Sequence, residues 1–370
     1  MTGARRIATL LALSGATAIG ACAPNHGATF PGAFAAAQRA ETAGRYAEAA
    51  ARYDAAAKEA VKERDRDYAR YLAARMLLRA GNNRDAVARL DEVASASPPT
   101  EHSAEAAYQA AAARIENGEA ERGWRDMDQV LVRFPSHGIA HSALRRVVVH
   151  KDETDKRATL EWLRAQAKGP LGSSEVGELV SFQIADHLVT LEDWGGAHDQ
   201  YLETAARWPY PYGSLWDDSL YHASEMDEKL ARPAHAIADL ERMLFERETT
   251  SLVGSYHRPR MSPALFRIGV IYARDLHDRV QARAAFHRLY TDFTTSKLRP
   301  DALWYEASLW ADEGDTKTSC ARLETLAGDF PHSRYVPCAV EKCPKLKPSE
   351  TSKAPKACHP YLLKPERLPH

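Results

Sequence analysis

Small and bulky apolar residues return along most of this chain at an interval of 37 residues. The clearest copies turn at Gly44, Gly81, Gly118 and Gly314 and begin at Phe30, Asp67, Ala104 and Pro300. Weaker copies begin near Glu178, Asp217 and Pro263, and the spacing of 74 from Ala104 to Glu178 places a degenerate unit near His141. Position 8 of these units reads Ala37, Ala74, Ala111, Val148, Ala185, Ser224, Val270 and Ala307. Position 20 reads Ala49, Ala86, Gly123, Leu160, Ala197, Ala236, Ala282 and Ser319. Where two helices cross closely only a small side chain fits, so the pattern predicts helical hairpins. Position 24 supplies a larger plug in Tyr53, Leu90, Met127, Tyr201, Leu240, Phe286 and Leu323, and fails only at Arg164. The expected fold is all-α, a superhelical solenoid of about eight hairpins over residues 30–337. Composition agrees. Alanine, the best helix former, makes up 65 of 370 residues, while glycine and proline number 20 each.

The hairpin centre Gly44-Arg45-Tyr46-Ala47-Glu48-Ala49, followed by Tyr53 and Ala56, resembles a tetratricopeptide repeat. Phe134-Pro135-Ser136, Trp208-Pro209 and Phe330-Pro331-His332-Ser333 each follow a second helix, and Phe293-Thr294 holds the same place. Proline stops one helix there and serine is expected to cap the next. A 37-residue period ending in Phe-Pro-x-Ser resembles the envelope subfamily of these repeats, which includes the BamD-type lipoprotein of the barrel-assembly machinery and the Tol-Pal-associated coordinators. The resemblance implies a non-catalytic scaffold that binds proteins.

Two stretches depart from the period. From Asp217 to Pro263 is 46 residues, and the surplus around Thr249 to Ser262 reads as a loop because of Gly254, Pro259 and Pro263. In the His141 unit, Lys168-Gly169-Pro170-Leu171-Gly172-Ser173-Ser174 replaces a tight turn, as a surface loop or a hinge.

The N-terminus carries an address. Arg5-Arg6 precedes the apolar run Ile7 to Ile19, which is too short to span a bilayer and reads as a signal peptide over residues 1–21. Ile19-Gly20-Ala21-Cys22 resembles the bacterial lipobox. That resemblance implies cleavage before Cys22, acylation of Cys22 with palmitate-type chains, and a lipidated linker over residues 22–29. Ala23 after the cysteine implies the outer membrane, at its periplasmic face. The other reading is an ordinary secretory signal with Cys22 a spare thiol.

Charge narrows the partners. With 49 basic and 50 acidic side chains the net charge is -1, which argues against nucleic acid. Once Cys22 is lipidated, Cys320, Cys338, Cys343 and Cys358 form an even set in an exported chain, and two disulfides are expected. Of three connectivities the sequential one, Cys320–Cys338 and Cys343–Cys358, follows from the turn after Phe330 reversing the chain. Zinc on Cys338, Cys343, Cys358 and His359 lacks the paired spacing of common zinc modules. From residue 338 to 370 the chain is rich in proline and lysine, reads as an extended tail, and offers a basic segment to envelope phosphates or peptidoglycan.

No nucleophile-elbow, zincin, Walker or dinucleotide motif occurs, so no catalytic residue, cofactor or metal is assigned. His137 and His141 stand four apart but find no third ligand. Glu225 and Glu228 read as a solvated helix face. Position 5, which faces the groove in such repeats, reads Phe34, Tyr71, Tyr108, Arg145, Phe182, Tyr221, Arg267 and Trp304. Aromatics and arginines suit an extended peptide or glycan, although tyrosine also packs at this position. The expected task is a lipid-anchored scaffold for envelope proteins in outer-membrane assembly, division or motility machinery. The rival is a glycan-binding accessory of an envelope enzyme.

Overall fold

A computed structural model of the chain describes residues 27–245, 248–250, 254–256, 259–343 and 345–346. These residues form helical hairpins in two compact units, residues 1–127 and 128–370. In the first unit α1 (Phe30–Thr42), α2 (Tyr46–Glu59), α3 (Glu63–Arg79), α4 (Asn83–Ala94) and α5 (Ser103–Glu116) precede α6 (Ala120–Arg133), within which the boundary falls. The second holds α7 (Ile139–Asp152), α8 (Lys156–Lys168), α9 (Gly177–Thr190), α10 (Trp194–Arg207), α11 (Trp216–Lys229) and α12 (Pro233–Phe245). It continues with α13 (Met261–Arg274), α14 (Arg279–Asp292), α15 (Arg299–Asp312), α16 (Thr316–Asp329) and α17 (Val336–Lys342). Within each unit helices pack on their neighbours in chain order, α1 to α5 in the first and α7 to α17 in the second, as a solenoid requires.

The repeat frame is visible atom by atom. Every position 8 residue is buried, as is every position 20 residue. At Gly123 an added Cβ would come within 2.8 Å of the Ala111 carbonyl oxygen, so that crossing admits no side chain. Position 15 turns the chain in the left-handed region: Gly44, Gly81, Gly118 and Gly314 have φ of 72°, 79°, 91° and 85°. In the weaker copies Glu192, Ala231 and His277 hold the same place at 61°, 54° and 52°. Position 16 then starts the second helix, where Asp193, Asp278 and Asp315 accept a backbone N–H.

The degenerate hairpin sits one residue earlier than the 37-residue count puts it. Leu144, Val147, Thr159 and Leu163 are buried, Arg145 and Arg164 are exposed, and Asp155 caps α8. Counted from Ala140, those are positions 5, 8, 20, 24 and 16, so Leu163 is the plug that Arg164 could not be.

Other expectations are corrected. The stretch after α8 is a packed 3₁₀ turn (Pro170–Ser173), not a loose surface loop: Leu171 is buried and Arg207 Nη2 donates to Gly172 O at 2.7 Å. The 249–262 insertion contains a short antiparallel hairpin, β1 (Glu248–Thr250) with β2 (Gly254–Tyr256), in which Thr249 pairs with Ser255. Serine or histidine three residues after the aromatic does not occupy the N-cap but accepts two residues ahead, as in Ser296 Oγ from Leu298 N at 3.1 Å and Ser333 Oγ from Tyr335 N at 3.3 Å. His137 Nδ1 does the same for Ile139 N at 3.2 Å, which gives that histidine a backbone role.

The tail begins as structure. Pro337 stands in the first turn of α17, and Cys338, Ala339 and Cys343 are fully buried. This helix carries Cys343 back to α16, and the disulfide joins Cys320 to Cys343 with a Cα separation of 5.3 Å. The Cys320–Cys338 and Cys343–Cys358 pairs are therefore corrected, because an extra helix replaces the expected extended chain. Cys338 is also disulfide-bonded, to a partner outside the described residues. The expected signal peptide, Cys22 and Cys358 lie outside them too.

Candidate functional site

Position 5 does not form one open row. In the first unit Tyr71 is core, stacked on the His102 ring at 5.0 Å and accepting from Gln109 Nε2 at 2.8 Å. Phe34 packs among Phe30, Tyr53 and Tyr68, and Tyr108 is half-buried. In the second unit Trp304 is 1% exposed, stacked on Tyr335, with Lys342 Nζ 5.0 Å from its ring. Arg145 projects to solvent because Leu144 takes its place.

Phe182, Tyr221 and Arg267 do come together, from α9, α11 and α13. His222 links them, 5.9 Å edge-on from Phe182 and 6.0 Å from Tyr221. Arg260 and Arg267 both approach the Tyr221 ring, at 4.9 and 5.3 Å. Glu225 accepts from Arg267 Nη1 at 2.9 Å and faces His222 Nδ1 at 2.6 Å, while Glu228 pairs with Arg267 and Arg274. These two glutamates are thus half-buried ion-pair partners rather than a solvated face. Burial opposes the charge of Glu225, but the His222 hydrogen bond and Arg267 outweigh it and hold its carboxyl below the usual range.

Beside this patch lies a cleft of about 450 Å³ between the α10–α11 connection and the start of α13, lined by Tyr212, Ser214, Asp217, Asp218, Pro259 and Arg260. Arg260 joins the two features, since its Nε donates to Asp218 at 2.6 Å while its guanidinium covers Tyr221. Buried Glu178 holds the connection in shape by accepting from Ser214 N, Ser214 Oγ and Leu215 N at 3.0, 2.7 and 2.8 Å. Gly213 has no room for a Cβ, which would lie 2.0 Å from Trp208 O. Tyr212 stands on this fixed loop 90% exposed. A solvated tyrosine beside hydroxyl, carboxylate and guanidinium groups can stack on and hydrogen-bond an extended ligand.

Tyr212, Arg260 and His222 occupy neither position 5 nor a motif, and Glu178 is marked only as a repeat start, so the sequence does not single them out as site residues. The reading also assigned no metal, yet His198, Asp227 and Asp239 bring three ligand atoms within 4.8 Å of one another. Burial pushes the Asp239 carboxyl up to about 6.

No protein-family model and no curated protein matches the chain. Solved structures do. PilF of Pseudomonas aeruginosa is 16% identical, with 63% of this chain and 94% of that one covered and a TM-score of 0.38. YrrB, described as a tetratricopeptide protein with an unusual peptide-binding site, is 16% identical over 58% and 97% of the two chains at 0.37. The C-terminal part of a tetratricopeptide protein from Cytophaga hutchinsonii is 10% identical over 73% and 98% at 0.44. What this chain is similar to is a set of helical-hairpin repeat proteins.

Proposed function

We propose that the protein is a non-catalytic scaffold of the bacterial cell envelope, anchored at the outer membrane through a lipidated Cys22, that binds segments of other envelope proteins. The observation that carries the binding role is the exposed Tyr212 on the rim of the cleft, on the loop that Glu178 braces and next to the Phe182–Tyr221–Arg267 patch. The lipobox-like Ile19-Gly20-Ala21-Cys22 supports the location, and the absence of catalytic motifs supports a binding role. Buried hairpins supply the frame, and loop residues supply the contacts.

A photo-crosslinking residue at position 212 in the native cell tests this, with Val280, 64% exposed on α14, as the control position. The reading expects discrete protein adducts from position 212 and none of them from 280. The partner so identified, once purified, should lose at least tenfold in affinity to Tyr212→Ala, a change too exposed to disturb folding. Adducts absent at 212, together with co-sedimentation on purified peptidoglycan, would favour the glycan-binding accessory instead.

A further inference from the structure

His198 on α10, Asp227 on α11 and Asp239 on α12 converge at one point of the second unit. His198 Nε2 lies 3.5 Å from Asp227 Oδ2 and 3.6 Å from Asp239 Oδ2. Those distances are too long for good hydrogen bonds. They match three atoms sharing one cation, since bonds of about 2.1 Å in a tetrahedron leave ligand atoms about 3.4 Å apart.

Burial makes the arrangement costly without such a cation. Asp227 is 0% exposed, and its Oδ2, like Asp239 Oδ2, has no hydrogen-bond partner, while its Oδ1 has only the Arg232 ion pair. Arg232 Nε approaches Asp227 Oδ1 at 3.1 Å, which orients that carboxylate and leaves Oδ2 facing His198. The imidazole is oriented as well. Its Nδ1 stands 3.0 Å from Asp199 Oδ1, a contact that can orient the ring as carboxylates behind metal-bound histidines do. With the proton on Nδ1, the Nε2 lone pair would face the two carboxylate oxygens and be free to ligate. A histidine braced by one carboxylate and aimed at two more is the arrangement of a metal ligand with its outer support.

We infer that His198, Asp227 and Asp239 bind a divalent metal ion of the zinc type, which ties three successive helices together. Imidazole beside carboxylates selects against calcium and magnesium, whose sites are built from oxygen. Three protein ligands leave a fourth position for water. The ion would lock the α9–α10 hairpin to the α11–α12 hairpin near their turns, at the end of α10 and α11 away from the connection that carries Tyr212.

The full exported chain, stripped with chelator, is titrated with zinc chloride by calorimetry, and cobalt(II) is added separately as a spectroscopic probe. The wild type is expected to take up one zinc ion that His198→Gln and Asp239→Asn each weaken at least hundredfold. Asp199→Asn, which touches only the imidazole, should weaken it about tenfold. Cobalt should give visible bands of tetrahedral ligation in the wild type alone. Zinc should raise the thermal midpoint of the wild type and leave both ligand variants unmoved. Circular dichroism separates a lost site from a lost fold, and Asp239→Asn, nearly isosteric, keeps the test alive if His198→Gln unfolds. The chain has 15 histidines, so the decisive quantity is the difference between wild type and variants. Equal zinc affinity in all of them would overturn the site, and would mean that a protonated His198 alone bridges the two carboxylates.

Discussion

Glu192, Ala231 and His277 occupy the turn where the other well-formed hairpins use glycine, and all three are solvent-exposed with positive φ. A Cβ in the left-handed region crowds the following carbonyl and costs about 1–2 kcal/mol. Glycine removes that crowding but adds freedom to the unfolded chain worth about 0.4–1 kcal/mol. Glu192→Gly, Ala231→Gly and His277→Gly should therefore each raise stability by about 0.5–1 kcal/mol, read as a higher denaturant midpoint at constant slope. An unchanged midpoint would mean the turn relaxes in solution. The same comparison explains why the weaker copies were harder to read. Their glycine is missing although their geometry is kept, because three well-packed helix crossings outweigh one strained turn. Position 5 shows the reverse problem. Tyr71 and Trp304 share their repeat position with Phe182 and Tyr221, and only the neighbours on the next helix decide which ring is core. Tyr71→Ala and Trp304→Ala should accordingly lower stability by about 3–5 kcal/mol, as for other large buried rings. Phe182→Ala should cost less, because its ring is half-buried.

At the scale of an element, α17 decides the cysteine pairing. Read as sequence, Val336-Pro337-Cys338 looks like the start of an extended, proline-rich tail. Proline in a first helical turn is well tolerated, however, and here it opens a helix of 7 residues that packs on α16. One short helix moves Cys343 to Cys320 and carries Cys338 elsewhere. The periodic pattern made the hairpins legible, because close crossings constrain residue size at every copy. It could not reveal α17, which belongs to no copy, or the His198–Asp227–Asp239 cluster, whose members are 29 and 12 residues apart on three helices. Closing a loop of 23 residues constrains the unfolded chain by about 3 kcal/mol. Cys320→Ser with Cys343→Ser should lower stability by about that much, and peptide mapping without reductant should recover Cys320 joined to Cys343. A Cys320–Cys338 peptide in its place would show that α17 does not dock as described.

For the molecule as a whole, the proposed location at a membrane calls for an anchor. Its net charge is -1, and among the described residues no helix is long and apolar enough to cross a membrane. The apolar run of Ile7 to Ile19 is removed if the chain is cleaved before Cys22. Under the proposed function, membrane retention would rest on the acyl chains at Cys22. One chain binds a bilayer only marginally, whereas three bind it stably, so losing the modification should change location almost completely. Cys22→Ala should move the mature protein from the outer-membrane fraction to the periplasm, or leave an uncleaved precursor in the inner membrane. The two products differ in mass by residues 1–21, which mass spectrometry resolves. Folding should be unaffected, because position 22 lies ahead of α1, and an unchanged circular dichroism spectrum of released protein would establish that. If Cys22→Ala still fractionates quantitatively with outer membranes, the hairpins themselves must be bound to a membrane protein. The same variant combined with Tyr212→Ala then decides between those sources, since only a partner held at the cleft rim would release the doubly changed chain.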